Sequence, residues 1–160
     1  MANNCITEIY IELNNKFDKE TMFETLDKIV CESNKEDKGA FFGSKERYFF
    51  EGEVDDLSEN EISVVGWVKW CLKNNEVIEF FKFFNDIAFI EKMTIKCFEI
   101  GCGICEKYVY DCKDEKTIMH YWLNEGIVFD YNSKDEDGTV YEDCFDELEN
   151  NSENEVIEIA

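Results

Sequence analysis

Residues alternate in character from Cys5 to Leu13. Cys5, Thr7, Ile9, Ile11 and Leu13 fall on one side, and Ile6, Glu8, Tyr10 and Glu12 on the other. A period of two predicts a half-buried strand. The period then lengthens: Met22, Phe23, Leu26, Ile29 and Val30 recur at the spacing of one helix face. They predict a helix to about Cys31, with Asp18 as the residue whose side chain caps its first turn. Ser33 to Gly43 is polar with two glycines and reads as a loop. Arg47 to Val54 reads as a strand, Asp55 to Glu61 as an acidic turn, and the β-branched and aromatic run from Ile62 to Cys71 as another strand. Asn74 is placed to cap a second helix from Asn75 to Asn85, with Val77, Ile78, Phe80, Phe81 and Phe84 on its apolar stripe. Phe83 lies off that stripe and is expected to be the exposed one. A strand from Phe89 to Ile100, the turn Gly101-Cys102-Gly103 and a return strand from Cys105 to Cys112 form a predicted hairpin. After a turn at Lys113 to Lys116, Thr117 to Leu123 and Ile127 to Tyr131 read as a further hairpin through Asn124-Glu125-Gly126.

The order strand, helix, strand, strand, helix, strand is the split βαβ pattern of a ferredoxin-like fold. The fold class expected is therefore α+β: an antiparallel sheet with two helices on one face, plus extra C-terminal strands and an acidic tail. Residues 1–131 make up the domain and 132–160 the tail. Tyr141, Cys144, Phe145 and Leu148 sit at helical spacing, so the tail is expected to include a short docked helix.

Charge changes the picture from fold to function. The chain holds 38 acidic and 16 basic residues, for a formal net charge of −22. Solubility of a small domain asks for a net charge of only about 2–8. Phosphate-bearing partners, nucleic acid or anionic membrane, require Lys and Arg to neutralise them, so this composition excludes both as direct ligands and favours basic surfaces. Half of the net charge falls in residues 130–160, where 12 carboxylates face one base, Lys134. Blocks of like charge are often interaction tails. No apolar run approaches the roughly 18–20 residues that span a bilayer. The N-terminal residues have no basic and apolar leader pattern, so the expectation is a cytoplasmic protein with reduced thiols. A single arginine, Arg47, against abundant Asn, Ile, Glu and Phe points to an AT-rich coding genome.

Candidate chemistry is sparse. Cys97, Cys102, Cys105 and Cys112 form the densest thiol cluster, and Cys102-Gly103-Ile104-Cys105 has the spacing of one zinc knuckle. A structural zinc needs four ligands in a tetrahedron, and a second Cys-x-x-Cys pair is missing. A dithiol redox motif normally opens a helix, whereas this one sits in a predicted hairpin. His120, the single histidine, lies in a predicted strand and reads as a packed or surface residue. Asp135-Glu136-Asp137-Gly138 lacks the ligand order of a calcium loop. No phosphate-binding loop or dinucleotide fingerprint is present. The four phenylalanines Phe80, Phe81, Phe83 and Phe84 have helical spacing and a single base, Lys82, among them, which favours core packing over base stacking. No catalytic residue, metal ligand or cofactor is assigned, and the chain is read as a non-enzyme.

The opening Met1-Ala2-Asn3-Asn4-Cys5-Ile6-Thr7-Glu8-Ile9-Tyr10-Ile11 resembles the start of the YubB-type ferredoxin-like proteins of phages and plasmids. So do Gly66-Trp67 in a strand before the second helix, Gly101-Cys102-Gly103, and Glu106-Lys107-Tyr108-Val109-Tyr110. The resemblance covers roughly residues 1–112. It implies a ferredoxin-like fold and a mobile-element origin, and it supplies no catalytic residues. Together with the charge, it leads to one functional expectation: an anti-CRISPR-like inhibitor acting in the host cytoplasm. Its carboxylates would occupy a basic groove of a host nucleic-acid-processing protein. The residues expected to carry binding are Asp135, Glu136, Asp137, Glu142, Asp143, Asp146, Glu147 and Glu149 of the tail. Asp55, Asp56, Glu59 and Glu61 form a second patch. Two alternatives remain: a phage accessory interaction module without mimicry, and a small zinc protein built on the cysteine turn. The sequence leaves the oligomeric state open.

Overall fold

The computed structural model describes residues 4–36, 49–69, 72–99, 104–122 and 153–159. Strand β1 (Asn4–Leu13) leads to helix α1 (Lys16–Lys35), then β2 (Phe50–Asp56) and β3 (Glu61–Lys69). Helix α2 (Asn74–Ile87) follows, then β4 (Ile90–Glu99), β5 (Ile104–Asp111), a 3-10 turn at Cys112–Asp114, β6 (Thr117–Trp122) and β7 (Glu153–Glu158). The seven strands form one sheet in the order β2-β3-β1-β4-β5-β6-β7. Every neighbouring pair is antiparallel. The protein is α+β.

The alternation in β1 sets the layers. Cys5, Thr7, Ile9, Ile11 and Leu13 are all buried, at 0–1% exposure, whereas Ile6, Glu8, Tyr10 and Glu12 are half-buried. Ile9 pairs with Val64 on β3 and Ile95 on β4, so the register carries one apolar face across the sheet. The buried stripes of both helices meet that face in a single core: Met22, Leu26 and Val30 from α1, and Val77, Phe80, Phe81 and Phe84 from α2. Burying a large apolar side chain contributes roughly 1.5–3 kcal/mol. Phe49 closes the core just before β2. Its ring meets Phe80 edge to face at 6.1 Å. It also lies against Gly66, where an added Cβ would come within 2.6 Å of the ring. Glycine is thus required at 66 for space. Next to it, β2 shifts register between Phe50 and Glu53, and Glu51 adopts a positive φ of 52°. That is the geometry of a bulge, which bends an edge strand and frees it from regular pairing.

Several expectations are corrected. Asn15, not Asp18, caps α1: its side-chain oxygen accepts from the Asp18 N–H at 2.8 Å, and Asp18 sits in the first turn. Both residues suit a cap, but only Asn15 precedes the turn by three positions. The helix runs on to Lys35, past the expected end at Cys31 and into the segment read as loop. Helix α2 starts after Lys73, whose side chain has no acceptor to cap it; Asn74 is already the first helical residue, and its side chain reaches to Glu155 at 2.8 Å. Phe83 is half-buried, its ring edge-on to Phe84 at 5.9 Å. Strand β2 extends through Asp56, so Asp55 and Asp56 belong to a strand and the turn proper is residues 57–60. The expected partner strand Ile127 to Tyr131 lies outside the described residues. The strand that flanks β6 is β7, inside the segment read as tail. Tyr141, Cys144, Phe145 and Leu148 also lie outside them. No helix among the described residues is long and apolar enough to cross a membrane.

Candidate functional site

Strand β2 is an edge of the sheet, and four of its seven residues are acids: Glu51, Glu53, Asp55 and Asp56, all exposed. Acids on an edge repel a second strand, which is a structural use for them. They also place a row of charge on one rim. Glu59 is exposed in the turn and Glu61 is exposed at the start of β3. The turn is fixed by Leu57 N–H and Ser58 N–H, which both donate to the Glu61 carbonyl at 3.1 and 3.2 Å. It is fastened to the centre of the sheet by Leu13 N–H donating to the Asn60 carbonyl at 2.7 Å. The second expected patch is therefore brought together on one hairpin. Within it Asp56 is already engaged. Its two oxygens accept from Lys19 Nζ at 3.0 and 2.9 Å, and Lys19 stands on the core-facing stripe of α1.

Register adds a residue that sequence reasoning did not single out. Glu12 on β1 lies directly opposite Glu61 on β3, with Lys92 of β4 on its other side. Like charges directly opposed across strands destabilise a sheet. Neither carboxylate has an ion-pair partner among the described residues. Between them is a cleft of about 200 Å³ lined by Tyr10, Glu12, Leu57, Glu61, Lys92 and Thr94, with Ile11 and Ile62 behind. Leu57 is 48% exposed there. Tyr10 is held in place: its O–H donates to Glu8 at 2.9 Å, and Lys96 Nζ lies 5.4 Å from its ring centre. Burial, with the Glu8 carboxylate beside it, pushes the Tyr10 phenol up to about 12. Two further exposed apolar residues, Phe17 and Phe89, belong to the same end of the sheet. Phe17 follows the end of β1 by four positions, and Phe89 precedes Ile90, the β4 partner of Leu13.

A second polar cluster lies toward the far edge. His120 is 7% exposed and stacked on Tyr108 at 4.2 Å, with Trp122 at 4.7 Å. Its Nδ1 is 3.1 Å from Glu155 of β7, which also accepts from Asn74. These two bonds hold the Glu155 carboxyl below the usual range, that from Asn74 contributing most. His120 Nε2 is buried without a hydrogen-bond partner, 3.5 Å from Glu106 Oε1. That spacing suits an ion pair with imidazolium, not a hydrogen bond of good geometry. The Tyr108 O–H reaches the Leu72 carbonyl at 3.3 Å. The cluster ties β5, β6, β7 and the start of α2 together. The sequence named His120, but its partners lie 14 and 35 residues away, and nothing local marks them.

Cys97 and Cys105 do not converge. Cys97 pairs across the hairpin with Glu106 and Cys105 with Phe98, so Cys97 and Cys105 leave their strands on opposite faces. Cys97 faces the core, with Sγ 3.7 Å from Thr7 Oγ1, and burial pushes its thiol well up. Cys112 is in the 3-10 turn, and Cys102 lies outside the described residues. Cys105 is disulfide-bonded, against the expectation of reduced thiols throughout, while Cys31, Cys97 and Cys112 are unbridged. Among the described residues no group of three or more His, Cys, Asp or Glu side chains is arranged to hold a metal ion.

Of the expected binding acids, Asp55, Asp56, Glu59 and Glu61 are described. Asp135, Glu136, Asp137, Glu142, Asp143, Asp146, Glu147 and Glu149 lie outside the described residues, as does the candidate calcium loop. No family model, curated protein or solved structure matches this chain.

Proposed function

We propose that this chain is a non-enzymatic inhibitor of phage or mobile-element origin. It would bind a host nucleic-acid-processing protein, such as a CRISPR effector, by presenting carboxylates where nucleic-acid phosphates would lie. One observation carries the proposal: Asp55, Glu59 and Glu61 share one fastened hairpin with the acidic β2 edge, and their carboxylates have no ion-pair partner among the described residues. Fixed charges of one sign raise the on-rate toward an opposite surface and set its register. The strand order β2-β3-β1-β4 is the antiparallel arrangement a ferredoxin-like split βαβ core requires, which supports the fold reading and the YubB-type resemblance. On that reading β5, β6 and β7 are additions to the core.

The exposed Leu57, Phe17 and Phe89 favour a second reading, an interaction module whose interface is mainly apolar. Salt separates the two. Affinity capture from a host lysate with the full chain, at low and at high ionic strength, is expected to retain a nuclease or ribonucleoprotein that high salt releases. A partner that survives high salt overturns mimicry in favour of the apolar interface. Capture only of proteins that do not handle nucleic acid overturns mimicry as well.

A further inference from the structure

We infer that the cleft between Glu12, Leu57 and Glu61 is the receptor for one arginine side chain of a basic protein partner. The inference rests on the acidic-surface reading and names the contact that gives that surface its register. A diffuse acidic rim attracts any cation; a cleft with two opposed carboxylates selects one.

The argument begins with a cost. Glu12 and Glu61 are directly opposite on β1 and β3, on the sheet face away from the helices. A pair of this kind destabilises the sheet relative to a neutral pair. The sequence holds lysine at 16 and at 92, so basic residues are available at this end, yet neither forms an ion pair with Glu12 or Glu61. A guanidinium placed between the two carboxylates removes the repulsion and gains paired charge-assisted hydrogen bonds. Its aliphatic stem needs an apolar wall, and Leu57, 48% exposed, supplies one. The Tyr10 ring supplies another and is held in position by Glu8 and Lys96. The cleft volume, about 200 Å³, admits one such side chain and not a folded segment. Lys92 opposes Glu12 on the β4 side, so it weakens the site and steers the incoming cation toward Glu61.

The test uses the isotope-labelled full chain in an NMR titration with N-acetyl-arginine amide. N-acetyl-citrulline amide, the neutral isostere, is the control. The expected result is saturable shifts confined to residues 10–12, 57–62 and 92–94, with a Kd on the order of millimolar for so small a probe. Glu12→Gln with Glu61→Gln is expected to weaken binding about tenfold. The fold should survive, since the change removes a repulsion. Lys92→Gln is expected to tighten it by about twofold to fivefold. Glu153→Gln with Glu158→Gln removes the same charge from β7 and is expected to leave binding within about twofold. Shifts spread evenly over all acidic strands, an equal response to citrulline, or unchanged affinity in the Glu12/Glu61 variant would each overturn the inference. None of those outcomes touches the salt dependence of the lysate partner, so the cleft and the mimicry reading fail separately.

Discussion

At one edge of the sheet, β2 holds Glu51, Glu53, Asp55 and Asp56 out to solvent; at the other, β7 carries Glu153, Glu155 and Glu158. The two edges have similar composition and different wiring. On β2, among the described residues, Asp56 alone is tied down, by Lys19. On β7 Glu155 is drawn into a clasp with His120 and Asn74, and that clasp fastens the last strand to the body. Acid counts alone therefore do not locate a binding surface. What matters is how the carboxylates are wired: among the described residues Glu12, Asp55, Glu59 and Glu61 share one end of the sheet without an ion-pair partner, whereas Glu155 is committed to the clasp.

The largest way to break the comparison is Gly66→Ala. The new methyl meets the Phe49 ring beneath the β2 bulge. Overpacking of this kind costs about 1–3 kcal/mol. Urea denaturation should show the loss, with the NMR signals of β6 and β7 left in place; a neutral effect would mean that Phe49 moves freely and that the β2 hairpin is not braced by it. A smaller effect is expected at the other edge. Because the Glu155 carboxyl titrates below the usual range, its contribution is present above the unfolded value, about 4.3. It is lost as pH falls through the lower folded value. Glu155→Gln keeps an acceptor for Asn74 but removes the charge. It should cost under about 1 kcal/mol at pH 7, since 46% of the side chain is exposed. It should also flatten the decline of stability between pH 5 and pH 3 (about the span over which a carboxylate titrates). An unchanged acid slope would remove Glu155 from the clasp. The smallest effect is expected from Lys19→Met, a swap of similar length on the core side of α1. Stability should shift by less than about 1 kcal/mol. The freed Asp56 should make β2 a stronger cation ligand, and cation binding unchanged from the parent chain would mean that Lys19 does not mask it.

The elements with internal periodicity were legible from the sequence. Cys5 to Leu13 alternates and buries the face it names; Met22, Leu26 and Val30, and Phe80, Phe81 and Phe84, each mark one helix face and sit in the core. Strand β7 was not legible, because Ile157 alone of its six residues is buried, so no alternation shows. The start of α2 is hidden where a tertiary bond competes. Asn74 is a fair cap by type, yet its side chain is taken by Glu155, 81 residues on. The acids of residues 55–61 were legible as composition, whereas Glu12 was not, because its opposition to Glu61 exists only once β1 and β3 are in register. The partners of His120 were hidden for the same reason. Short-range pattern marks what an element buries, and a site assembled from several separate elements leaves no such pattern.

The place of β1 in the sheet also bears on how the chain is made. It leaves the ribosome before both of its neighbours, residues 61–69 and 90–99. Until those emerge, Ile9, Ile11 and Leu13 have no sheet to join. Non-local pairing of this kind is slow and leaves apolar strands exposed to other nascent chains. The glutamates at 8 and 12 then have an earlier task than any in the finished molecule: as charges interleaved with the apolar positions, they keep an unpaired strand from aggregating while the rest of the chain is still being synthesised.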